Sequence, residues 1–100
     1  MSIKTMDIVM KAVCEEFGFT KESLIGYDRH VEIMDARHMF CGTSFLRGYR
    51  VTEIGKFIRR NHCSIINSVK KFRNLNETDP AFKEVANRIM NRVEEIESEY

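Results

Sequence analysis

The chain of 100 residues has no tryptophan, a single proline (Pro80) and five glycines. It has no Pro- or Gly-rich stretch, internal repeat or low-complexity segment, so no linker is expected and residues 1–100 read as one domain. Long apolar runs are missing too. None approaches the about 18 residues that span a bilayer, and the opening MSIKTMDIVMKAVCEEF mixes polar and apolar residues where a signal peptide needs an unbroken apolar core. No membrane partner is expected, and the expected location is the cytoplasm. Cysteine is sparse: Cys14, Cys41 and Cys63 are odd in number and widely spaced, with no Cys-x-x-Cys. That excludes a disulfide framework. Cys14 and Cys41 fall in apolar periodic patterns and read as small buried hydrophobes. Net charge is nearly absent, with 16 basic against 15 acidic residues.

The balance hides an uneven distribution. Residues 1–46 carry five basic and seven acidic residues, net −2, and residues 74–100 carry three and seven, net −4. Residues 47–73 carry eight basic and one acidic, net +7. A polyanion would meet the middle segment and be repelled by the ends.

That middle segment, RVTEIGKFIRRNHCSIINSVKKFR at 50–73, reads as two short helices joined by a tight basic turn. This is the pattern of a helix-turn-helix, whose second helix enters the DNA major groove. The first helix spans Val51 to Ile58, and the second follows Asn61, whose side chain suits an N-cap. Ile65, Val69 and Phe72 should face the core, widened by Ile66 and Leu75, leaving Cys63, Asn67, Lys70, Lys71 and Asn74 outside. His62 and Ser64 lie in the first turn, where base edges are met. Lys70, Lys71 and Arg73 come later and suit phosphates, as do Arg50 and the Arg59-Arg60 pair.

The rest is also helical, and no segment reads as a strand. Ile8, Val9, Ala12, Val13 and Phe17 predict a helix over about residues 3–17, stopped by Gly18. Thr20 caps a short helix, KESLI, ended by Gly26. GYDRH at 26–30 is a polar loop, followed by a long helix through Ile33, Met34, Arg37 and Met39 to Phe45. The second helix of the motif ends over Leu75 to Thr78. Asp79-Pro80 then pairs an N-cap with a proline at the first helical position. The last helix carries one apolar stripe: Phe82, Val85, Ala86, Ile89, Val93 and Ile96. The expected fold class is all-α, a compact multi-helix domain built around the helix-turn-helix.

Catalysis finds little support. Glu15-Glu16 and Glu94-Glu95 are adjacent, so on a helix each pair diverges by about 100°. No Ser/His/Asp set stands at recognisable spacing. His30, His38, His62 and Cys63 fit no zinc-ligand spacing. Gly55-Lys56 lacks the upstream glycine of a phosphate-binding Gly-x-x-x-x-Gly-Lys-Ser/Thr loop. No enzyme activity, metal, cofactor or nucleotide is therefore expected.

Three ordered blocks, VCEEFGFTKESL at 13–24, VTEIGKFI at 51–58 and NHCSIINSVKKF at 61–72, resemble the C-terminal DNA-binding domain (domain IV) of the bacterial replication initiator DnaA. The last block resembles the family signature Asp-His-Thr-Thr-Val-x-x-Ala-x-Lys. Asn61 stands for the Asp, and His62 keeps the His. Cys63 and Ser64 replace the threonines, Ile65 the Val, and Lys70 and Lys71 fall at the basic positions. The resemblance implies a Trp-repressor-like helical fold and sequence-selective binding of double-stranded DNA in origin recognition or its regulation, close to the nucleoid. It implies base contacts from His62, Cys63, Ser64 and Asn67, and from Arg29 in the minor groove. It places Arg37 and His38 against the DNA as well, and Asn61 joins the backbone contacts. Two departures stand out. The loop YDRHVEIMD sets Asp28, Glu32 and Asp35 around Arg29, and Cys63 cannot supply a threonine hydroxyl, so an altered target site is expected. The alternative is a protein-interaction module that keeps the scaffold and meets a protein partner through the acidic C-terminal helix.

Overall fold

The computed structural model describes residues 5–26 and 30–99, and six helices account for most of them. They are α1 (Thr5–Phe17), α2 (Lys21–Ile25), α3 (Val31–Leu46), α4 (Val51–Ile58), α5 (His62–Thr78) and α6 (Pro80–Ser98). No strand occurs among the described residues.

Local chemistry sets the boundaries. Gly18 ends α1 with a φ of 75°, a left-handed conformation that glycine adopts without a Cβ penalty. The Thr20 hydroxyl accepts from the Ser23 amide at 3.2 Å and starts α2. Asn61 caps α5 through its side-chain oxygen, 2.8 Å from the Cys63 amide. Asp79 caps α6 by accepting from Ala81 and Phe82 at 3.0 and 3.3 Å, with Pro80 behind it.

The third helix is the axis of the molecule, and every other helix packs on it. Ala36, Met39, Phe40, Cys41, Thr43 and Ser44 are almost fully buried, so this helix has little solvent face along its middle. Close approach to α5 depends on Gly42, because a Cβ there would fall inside the Phe72 ring. Phe72 in turn meets Phe82 edge-on at 5.9 Å between centroids, which links α5 to α6.

The apolar stripe of α6 is spent internally. Phe82, Ala86, Ile89, Val93 and Ile96 are buried, and α6 packs on α1 and α5. Its charged flank is tied down as well: Arg88 reaches Glu16 at 2.6 Å, Arg92 reaches Glu15 at 3.6 Å, and Glu97 pairs with Arg47. Three sequence expectations need adjustment. Ile66 does not widen the buried stripe of α5. It stands roughly 100° round the helix from Ile65 and is 37% exposed. Cys41 is buried, but Cys14 is only half-buried. Val85 is likewise half-buried against the core.

Candidate nucleic-acid interface

The surface of α5 is built by its register. With Ile65, Val69 and Phe72 anchored in the core, Cys63, Asn67, Lys70 and Asn74 form an exposed stripe at i, i+4, i+7 and i+11. His62 stands beside the stripe at the first helical position, and its Nε2 lies 3.7 Å from Cys63 Sγ. Ser64 occupies the α3 flank, where it lines a cavity of about 250 Å³ with Met34, Arg37, His38, Arg60 and Ser68. Lys71 lies further along that flank and lines a groove with Asp35, His38 and Asn74. The face thus combines a small polar reading turn with cations about two turns later.

The preceding turn is held by unusual backbone. Arg59 adopts a left-handed conformation, φ 58° and ψ 47°, at the end of α4. The Arg60 amide then donates to the Gly55 carbonyl at 2.8 Å. Chain and helix are so close that a Cβ on Gly55 would stand 2.6 Å from the Arg60 carbonyl oxygen. Gly55 is therefore what lets α4 and the turn approach each other. At the other end of α4, Glu53 accepts from the Arg50 amide at 3.0 Å, leaving the Arg50 side chain exposed.

Two arginines and one imidazole expected against DNA make contacts within the domain. Arg37 donates from Nε to the Leu24 carbonyl at 2.7 Å and from Nη2 to the Gly26 carbonyl at 2.6 Å. It ties α3 to the end of α2. His38 is buried, and its Nδ1 lies 3.1 Å from Ser68 Oγ on α5. Burial, followed by the fields of Lys71 and Arg37, pulls its pKa down to about 4. Buried and engaged with Ser68, His38 serves the α3–α5 contact in this structure. Arg60 is half-buried and donates to the Gly26 carbonyl from Nη2 and, at 3.5 Å, to the Ile58 carbonyl from Nη1, so it braces the turn instead of reaching outward.

Arg50, Arg59, Lys70 and Lys71 are exposed, as are His62, Cys63, Ser64 and Asn67. Asn61 is exposed with its oxygen engaged in the cap. Arg29 lies outside the described residues. Ser68 was not singled out in the sequence, yet it joins His38 to α5 and hydrogen-bonds Cys41, whose thiol burial pushes up to about 12. A polar residue on the buried side of an apolar stripe was its only signal.

A family model described as the bacterial DnaA protein helix-turn-helix matches residues 6–72. The chain belongs to that DnaA helix-turn-helix family. The match runs from α1 through Phe72, so this DnaA-type unit includes α3, α4 and the part of α5 that carries Cys63, Asn67 and Lys70, while α6 lies beyond it. A search of curated proteins finds no match. Membership makes the helix-turn-helix a DNA-binding element. No described helix is long and apolar enough to cross a membrane.

Proposed function

We propose that the chain reads double-stranded DNA sequence-selectively, with α5 in the major groove, and serves replication-origin recognition or its regulation. The observation that carries this reading is the exposed stripe of α5. It sets Cys63 and Asn67 ahead of Lys70 on one continuous face, with the exposed His62 beside it at the start of the helix, within the segment of net +7. His62, Cys63 and Ser64 meet base edges. Asn67 offers an amide that matches the donor and acceptor of adenine. Arg50, Arg59, Lys70 and Lys71 hold phosphates, while Arg37, His38 and Arg60 support the reading surface from within. Arg29 keeps the minor-groove role that the family resemblance implies.

Base and phosphate contacts separate experimentally. With a DnaA-box duplex and a scrambled duplex of equal composition, His62→Ala should narrow the affinity gap between the two by about tenfold. Lys70→Ala should weaken both equally and reduce the log–log salt slope by about 0.9. Identical behaviour of the two variants in competition binding would reject this division of labour.

A further inference from the structure

A second cationic feature lies away from the stripe. Lys21 on α2 and Arg59 and Arg60 in the helix-turn-helix turn line one groove of about 470 Å³, with Glu22, Ile25 and Gly26 completing it. Residues 59 and 60 directly precede the Asn61 cap, so the groove borders the start of α5.

Both outer cations are placed there at a cost or with support. Arg59 holds a left-handed backbone conformation, a position where glycine is normally found. Lys21 lies over the Phe57 ring, with Nζ 4.6 Å from the centroid, and Phe57 is stacked on the buried Phe40 at 5.5 Å. The aromatic pair holds the ammonium beside the turn. Arg60 closes the inner wall through its bond to the Gly26 carbonyl. The opposing charge in the groove is Glu22.

We infer that Lys21 and Arg59 together form a phosphate seat for a phosphodiester of the bound duplex, outside the footprint of α5. This inference rests on the DNA-reading function proposed above. It gives the strained turn a purpose: a glycine at 59 would relieve the backbone but remove one of the two cations. It also brings α2, from the acidic half of the chain, into the DNA contact.

The test is salt-dependent binding of the full chain to a DnaA-box duplex by fluorescence anisotropy. Lys21→Gln keeps most of the aliphatic stem and removes the charge. Arg59→Gly keeps the backbone geometry, so its Tm should equal or exceed that of the parent. Each should weaken binding several-fold and reduce the salt slope by about 0.9. Because both act on one phosphate, the double variant should lose little more than the stronger single one. Lys21→Arg should restore the slope, and Glu22→Gln should strengthen binding. Unchanged slopes in folded Lys21→Gln and Arg59→Gly, with salt-sensitive binding intact in the parent, would overturn the seat and leave the proposed function standing. A parent chain with no salt-sensitive DNA binding would overturn both.

Discussion

His38 shows how far a residue's neighbours decide its role. On sequence it sits three residues from Asp35, the spacing of a surface pair. In the structure it is buried at the α3–α5 contact and hydrogen-bonded to Ser68. Its pKa falls from 6.5 to about 4, chiefly through burial. A depressed histidine stays neutral in the native chain while the unfolded chain takes up a proton. Its contribution is therefore intact above pH 6.5 and lost as pH falls from there towards 4. The full shift corresponds to about 3 kcal/mol. Asp35, whose pKa is raised mainly by burial, opposes this trend, so a variant comparison is needed. Urea unfolding at pH 7.5 and 4.5 should show the parent losing roughly 2–3 kcal/mol more than His38→Gln. Equal losses would mean that the imidazole is not buried in its neutral form. Nothing in the one-dimensional pattern distinguished His38 and Arg37 from surface residues, because their partners, Ser68 and the Leu24 and Gly26 carbonyls, are far along the chain.

Among the elements, the helices were legible because capping and periodicity are local. Thr20, Asn61 and Asp79 each cap where the sequence places them, and Pro80 opens α6. The face of α5 was legible for the same reason: Ile65, Val69 and Phe72 fix its rotation. Ile66 was misjudged because apolar character was taken as burial, although a position next to Ile65 points away from the same core. Lys21 was overlooked because it lies outside the basic segment in sequence and joins the turn only through the packing of α2. The α4–α5 turn rests on Gly55, whose missing Cβ admits the Arg60 carbonyl. Since that obstacle is backbone, a side chain cannot relieve it by changing rotamer. Gly55→Ala should destabilise the chain by about 2 kcal/mol or more despite alanine's better helix propensity. Chemical denaturation checks this, and a variant as stable as the parent would show that the turn is looser than described.

At the scale of the whole molecule, an almost neutral chain presents a positive centre between negative ends. The acidic C-terminal segment is engaged within the fold: Glu97, Glu84 and Glu95 pair with Arg47, Arg88 and Arg92, and its apolar stripe is covered by α1 and α5. DNA association should therefore follow the local field of residues 47–73, helped by Lys21, and not the net charge of +1. Four phosphates neutralised, by Arg50, Arg59, Lys70 and Lys71, give a log–log salt slope near about −3.6, and affinity should fall roughly 10²-fold between about 50 and 200 mM salt. The most direct measurement is fluorescence anisotropy of the chain with a labelled DnaA-box duplex and a scrambled duplex of equal composition, at those two salt concentrations. The account predicts salt-sensitive binding that is tighter to the box, or to a variant of it recovered by site selection. Binding to neither duplex, or binding indifferent to salt, would contradict it.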